Sequence, residues 1–434
     1  MATEKKKRLA SAVDKTMSIS YKHRSSIDMT RGILDKVGYS YNDLKIVPAV
    51  TSDISSRKEC NIFEEDGMLP IFASPMLSVT NEHNFEMWKN NKVRPIAPRS
   101  IAYKKRLEYL QNGDWVALSL KEFDKLFIAG THTFKPYSEK TYNVCVDLAN
   151  GHMHSLYNKI WSAKGKAKMC GYNLVIMTGN IANPETYRWL CDWQDEVNVK
   201  VVDYIRLSIG TGAGCLTTSN TGVHYPIGSL INECKEIKDN YDATKCPAIV
   251  ADGGIRNYDD INKALALGSD YVMIGSLLSG LLESSAEMVI ESNDPVKFPV
   301  YYDREAGEIS YNVGYDETKT IRIWDVNHEE EKREFIRSMK NITKKFIGMS
   351  TKEAQIAINA ALEEPIIADK KDLKTSEGCT KFIPVHYTLA QWLENLQDYL
   401  RSAMSYCDAK TLDEFRNNTY LIPCSPGTMI AVNK

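Results

Sequence analysis

The chain has 434 residues, 43% of them hydrophobic and 25% charged, the proportions of a folded globular protein with a sizeable core. A formal net charge of -2 and a pI near 6.5 give no basic field to hold nucleic acid or an anionic membrane. With no apolar run near the roughly 20 residues that span a bilayer, the expected partners are small molecules, with no nucleic acid and no membrane.

Residues 1–40 read as an N-terminal extension. They carry the KKKR run at 5–8 and lack the apolar segment of a secretory signal, so a solvated terminus on a cytoplasmic protein is expected. The ten cysteines show no CxxC pairing and no regular spacing, which reads as reduced thiols. From there, eight short apolar runs recur at 69–73, 93–97, 115–118, 143–148, 173–177, 201–207, 247–251 and 270–274. They are bounded by turns and separated by stretches long enough for helices. Alternation of this kind predicts parallel strands with crossover helices, and eight repeats predict a closed α/β barrel, the (β/α)8 TIM barrel, over 41–434. An open doubly wound sheet is the alternative, but the G-x-G-x-x-G entry turn is missing near the first strand. Residues 289–345, rich in Asp, Glu, Lys, Tyr and Asn, break the repeat as an insertion after the eighth strand. Loops after barrel strands lie on the catalytic face, so the insertion is expected near the site or as a surface elaboration or oligomer contact.

The densest chemical signal follows the sixth strand: SIGTGAGCLTTSNTGVHYP at 208–226. Gly210, Gly212 and Gly214 allow close backbone approach to a ligand, and Cys215 at the end of the loop is held over the barrel mouth, where backbone N–H groups and a helix start favour the thiolate; its plainer role is a structural cysteine. Backbone carbonyls at Gly210, Gly212 and Cys215 offer a site for a monovalent cation such as K+. The next two strands end in ADGG (251–254) and in Gly275-Ser276. Amides at the ends of the last two strands of a barrel form a phosphate cradle, which points to Gly253, Gly254, Gly275 and Ser276. Asp252 beside them suits a ribose diol; its plainer role is capping the following helix.

In this order the motifs resemble the inosine monophosphate dehydrogenase and GMP reductase family, over about residues 42–424 outside the insertion. SPMLSVT at 74–80, VDLANG at 146–151 and TGN at 178–180 are similar to the family's first, fourth and fifth strand ends. CLTTSNTGVHYP, FIGMS at 346–350 and KTSEGCTKFIP at 374–384 resemble the reductase branch. The resemblance implies a thioimidate intermediate between Cys215 and purine C2, with Thr217 and Glu377 relaying a proton and Asp147 near the cofactor and amine chemistry. It implies substrate contacts from Ser74, Met76, Met349, Ser350, Lys374 and Gly378, cofactor contacts from Asn150, Gly151 and Arg99, NADPH as cofactor, and a homotetramer. The expected reaction is reductive deamination of GMP to IMP in nucleotide salvage. The alternatives are IMP dehydrogenation with NAD, a deoxy or modified purine nucleotide as substrate, and a non-catalytic nucleotide-binding barrel. Departures fall around the phosphate and base: Ala213 replaces a serine, Ile347 a tyrosine, Lys374 an arginine and Leu77 an acid, while Arg99 stands where the reductase has a lysine.

Overall fold

A computed structural model describes residues 37–130, 140–294, 299–313, 317–366, 370–425 and 428. The KKKR run and the rest of 1–36 lie outside the described residues.

After a short strand β1 (Leu44–Ile46), eight parallel strands close into a barrel: β2 (Ile71–Ala73), β3 (Arg94–Ala97), β4 (Trp115–Leu118), β5 (Thr141–Val146), β6 (Asn173–Ile181), β7 (Tyr204–Leu207), β8 (Ala248–Asp252) and β9 (Tyr271–Ile274). All eight apolar runs are strands, and β2 completes the ring by pairing with β9, Ile71 opposite Val272. The returning helices are α1 (Phe85–Asn90), α2 (Tyr103–Gln111), α3 (Leu120–Asp124), α4 (His154–Cys170) and α5 (Pro184–Val197). One-turn α6 (Thr217–Thr221) and then α7 (Ile227–Lys238) follow β7, α8 (Tyr258–Ala266) follows β8, and α9 (Ser276–Ser279) follows β9.

Local chemistry sets these elements. In α5, the Asn183 side chain accepts the Glu185 N–H and Pro184 opens the first turn, so both entry groups suit a helix start. Tyr187, Leu190, Cys191 and Gln194 then recur at helical spacing and are buried against the barrel. Inside the barrel, Phe72, Ile96, Ala117, Cys145, Met177, Val250 and Met273 form one cluster. Phe72 is flanked edge-on by Trp115 and Tyr271 at 5.6 and 5.4 Å, and Tyr204 completes the group. Trp115, Tyr204 and Tyr271 each begin their strands, so aromatic packing plugs the N-terminal end and leaves the C-terminal mouth for chemistry.

The insertion is a folded unit with a core of its own. Strand β10 (Glu287–Glu291) leads into a meander, β11 (Val300–Asp303), β12 (Glu308–Asn312) and β13 (Thr318–Arg322). Helix α10 (Glu329–Ser338) follows, then β14 (Asn341–Ile347), α11 (Lys352–Ala360) and β15 (Thr380–Pro384). β14 lies between β10 and β15 in an antiparallel sheet. Met288, Ile309, Tyr311, Ile321, Phe335 and Ile342 pack together with Leu282 and Val385. Trp324 touches both this cluster and the barrel core, and stacks on His83 at 4.6 Å. Buried charge also ties the two parts: Lys332 Nζ lies 3.0 Å from Glu283, and Lys344 Nζ donates to the Ser284 and Ala286 carbonyls at 3.1 and 3.2 Å. Helix α12 (Leu389–Tyr406) is capped by Thr388 and lays Leu389, Trp392, Leu393, Leu396 and Leu400 on the barrel. After α13 (Leu412–Asn418), β16 (Leu421–Pro423) returns to pair with β1.

Candidate active site

β7 ends at Leu207, and the loop that leaves it is fastened to a segment 160 residues away. Leu216 N donates to the Glu377 carbonyl at 2.7 Å and Cys379 N to the Gly214 carbonyl at 2.9 Å, with Cys215 bridged to Gly378 between them. A Cβ on Gly214 would sit 2.7 Å from the Phe346 ring, so only glycine admits this three-way packing. The side chains converge as a result. The Cys215 thiol donates to Thr217 Oγ1 at 3.2 Å, and the Thr217 hydroxyl donates to Glu377 Oε2 at 2.8 Å.

These three residues line a cavity of about 890 Å³ at the C-terminal mouth of the barrel. Asp147, Ser74, Met76, Asp252, Gly253, Gly254, Gly275, Ser276, Met349, Ser350, Lys374, Arg99 and Gly212 share its wall. Gly253 and Gly254 adopt φ of 107° and 76°, a conformation that turns the chain sharply after β8. Four of the expected site residues lie off the cavity wall. Gly378 stands behind Cys215 as its backbone partner. Asn150 accepts the His152 N–H and closes its own turn. Gly151 packs on the neighbouring strand end, where a Cβ would lie 2.8 Å from the Asn180 carbonyl. Gly210 faces Thr218. Two loop carbonyls accept the chain's own N–H groups, Gly212 from Cys215 and Gly214 from Cys379.

Charge alternates across the mouth. Arg206, 4% exposed on β7, donates to Asp147 Oδ1 at 3.1 Å, and its other terminal nitrogen lies 3.6 Å from Asp252. Asn180 Nδ2 donates to Asp252 at 2.8 Å. Arg99 lies 3.8 Å from Asp147 and 4.0 Å from Glu122, which Arg106 holds at 2.7 Å. Burial pushes the Asp252 carboxyl above its ordinary range, and Arg206 and Asn180 oppose that rise. Burial alone would also raise Glu122, but Arg106 and the Ser119 N–H and hydroxyl bring it below its usual value. Burial would lower the Arg206 pKa, yet Cys145, Asp147 and Asp252 carry it higher still.

Arg206 and Asn180 carry no assignment in the sequence reading, although signals for both exist. A lone arginine within the apolar run at 201–207 has to face the mouth or find acids, and Asn180 closes the TGN turn. The helix wall was harder to foresee. Gln355, Ile358, Asn359 and Leu362 line the cavity at helical spacing on α11 and just beyond it, joined by Ile366. The loop carrying them was legible only through its flanking motifs.

Comparison with known proteins agrees with this geometry. The IMP dehydrogenase / GMP reductase domain model matches residues 137–304. That match covers β5 to β9, the cysteine loop and the first part of the insertion. Over that span the chain carries the IMP dehydrogenase / GMP reductase domain. It is 25% identical over 399 residues to a GMP reductase of Staphylococcus carnosus, covering 88% of this chain and 96% of that one. It is 28% identical over 277 residues to a GMP reductase of Staphylococcus epidermidis, 61% of this chain and 77% of that one. An inosine-5'-monophosphate dehydrogenase of Chlorobaculum tepidum is 28% identical over 280 residues, 64% of this chain; the chain spans 44% of that relative. The family's members are oxidoreductases acting on small purine nucleotides. No helix among the described residues is long and apolar enough to cross a membrane.

Proposed function

We propose that this chain is a member of that family and reduces GMP to IMP and ammonia through a covalent bond between Cys215 and purine C2, with NADPH as the reductant. The observation that carries this reading is the unbroken chain from the Cys215 thiol through Thr217 to Glu377 at the cavity mouth. A nucleotide-binding scaffold has no use for a thiol coupled to a proton relay.

Loss of its proton along the relay frees the Cys215 thiolate to add to C2, dividing one displacement into two easier steps. Glu377, through Thr217, delivers a proton to the 2-amino group, and ammonia leaves as the C2–N bond breaks. The cavity volume, with Ile358, Leu362 and Ile366 as an apolar wall, fits a ring beside the purine. A reduced nicotinamide bound there supplies a hydride to C2. The C2–S bond then breaks and Cys215 leaves as thiolate with IMP. Asp252 accepts from the ribose hydroxyls, amides around Gly253, Gly254, Gly275 and Ser276 hold the phosphate, and Lys374 adds positive charge. Asp147 and Arg99 flank the cofactor side. We place the reaction in the cytoplasm and in a homotetramer.

IMP dehydrogenation is the second reading, favoured by the Chlorobaculum relative at the same 28% identity. Absorbance at 340 nm separates the two. Loss of signal that needs GMP, NADPH and Cys215 supports the reductase. A gain with IMP and NAD, and no loss with GMP, assigns the dehydrogenase. Silence with both, joined to turnover of a deoxy or modified purine nucleotide, shifts the substrate and retains the chemistry.

A further inference from the structure

The segment between Ser350 and Lys374 leaves the active site and returns to it. Its outgoing end carries Met349 and Ser350, and its incoming end carries Lys374, Thr375 and Glu377, all on the cavity wall. One side chain closes the neck of this excursion. Gln355 Nε2 donates to the Ser350 and Lys374 carbonyls, each at 3.1 Å, and Gln355 Oε1 accepts the Lys374 N–H at 2.9 Å. Its amide therefore uses both donor protons and one acceptor position on backbone, as only an amide can. Gln355 sits on the first turn of α11, which Thr351 caps by accepting the Ala354 N–H at 3.1 Å, so its position is fixed relative to Ser350. Farther out, Asn359 Oδ1 accepts the Ile366 N–H at 2.8 Å and Tyr103 N donates to the Ala361 carbonyl at 2.9 Å, holding the helix end.

We infer that Gln355 is a positioning residue: by fastening Lys374 to Ser350 it holds the strand end that presents Glu377 to Thr217. Glu377 lies three residues beyond the clamp. Between them Ser376 donates to the Gly378 carbonyl at 2.8 Å, and past them Cys379, just before β15, accepts the Gly348 N–H beyond the end of β14 and donates to the Gly214 carbonyl of the cysteine loop. The carboxylate is thus held from both sides, by the sheet after it and by the Gln355 amide before it. Displacement of a positioned group by about 1 Å costs on the order of a hundredfold in rate, so the clamp acts on kcat without touching the reacting atoms.

The inference rests on the proposed role of Glu377, and its test has two readouts that need no turnover. Gln355→Met keeps the length and helical preference of the side chain and removes all three hydrogen bonds; Gln355→Glu keeps the acceptor and removes the donors. In Gln355→Met, tryptic cleavage after Lys352, Lys371 or Lys374 should speed up about tenfold. Alkylation of Cys215 by iodoacetamide should become several-fold faster, since loosening the Glu377 segment opens the loop around the thiol to reagent. With GMP and NADPH, kcat should fall about tenfold or more while the melting temperature stays close to that of the native chain. Gln355→Glu should regain part of that loss below the carboxyl pKa, where the protonated acid donates again, a pH limb absent from Gln355→Met. Unchanged cleavage and alkylation in Gln355→Met would overturn the inference. So would faster cleavage with unchanged Cys215 alkylation, which would reduce Gln355 to a tether for α11. If the native chain turns over neither GMP nor IMP, the functional reading fails alone, and cleavage and alkylation still decide the clamp.

Discussion

Arg206 shows how much of the site depends on a group that touches no reacting atom in the proposed chemistry. It is buried between Asp147 and Asp252, and its Nε has no hydrogen-bond partner among the described residues. Removing one member of a buried charge cluster leaves the others unpaired, at about 3 kcal/mol. Arg206→Met should lower stability to urea by roughly that amount. It should also move the acidic limb of kcat/KM to higher pH, because Arg206 opposes the burial that raises Asp252. The sign is set by the proposed role of Asp252: with the ionised carboxylate as acceptor for the ribose, activity falls as pH drops through its pKa, and loss of Arg206 raises that pKa. A limb that stays put or moves down would separate Arg206 from Asp252. Within the relay, Glu377→Gln should lower kcat by about 100-fold or more and slow formation of the Cys215 adduct, which a quenched single-turnover experiment reads directly. At this scale the sequence displayed the reactive groups, because Cys215, Thr217 and Glu377 sit in ordered motifs. It hid the supporting ones, because Arg206 lies in an otherwise apolar strand and Gln355 on a helix whose neighbours only the fold brings in.

At the level of elements, each barrel strand was readable because a strand buried on both faces is a short apolar run between turns. The insertion was not readable as a folded unit. Its strands alternate, with β12 burying Ile309 and Tyr311 between half-exposed residues, and its central sheet joins β10 to β14 and β15 across more than 50 residues of chain. A polar composition is what such one-sided strands give. β14 carries Phe346 to the cavity wall, with Gly348 just beyond its end. Lys344 lies in the middle of that strand, fully buried, with its pKa lowered to about 7 by desolvation against the pull of Glu283. Between pH 7 and about 10.5 the unfolded chain binds this proton and the folded chain does not, so this residue makes stability rise with pH across that window. Lys344→Met should therefore stabilise the chain by about 1–3 kcal/mol at pH 7, with a smaller gain at pH 10, measured by urea denaturation at both. A loss of stability at pH 7 would mean that the Ser284 and Ala286 carbonyls need the lysine more than the core resists it. Lys332→Met is expected to act in the opposite direction, costing about 3–5 kcal/mol by leaving Glu283 buried without its partner.

The whole molecule divides its work between a closed barrel and an added sheet. The barrel mouth supplies Asp147, Arg206, Asp252 and the cysteine loop, and the segments leading from the added sheet supply Met349, Lys374 and Glu377. Neither part alone brings Cys215, Thr217 and Glu377 into line, so the proposed covalent chemistry belongs to their junction. Of the departures, Ala213 lines the cavity and Ile347 is buried at the end of β14, and the thiol relay is intact beside them. The most direct test is therefore on the sulfur itself: intact-mass and peptide mapping after incubation with a 2-halogenated purine nucleotide, whose halide leaves when a thiolate adds at C2. One adduct per chain, located on Cys215, suppressed by GMP and absent from Cys215→Ser, is the predicted result. No adduct, or labelling spread over the other cysteines and indifferent to GMP, would contradict it.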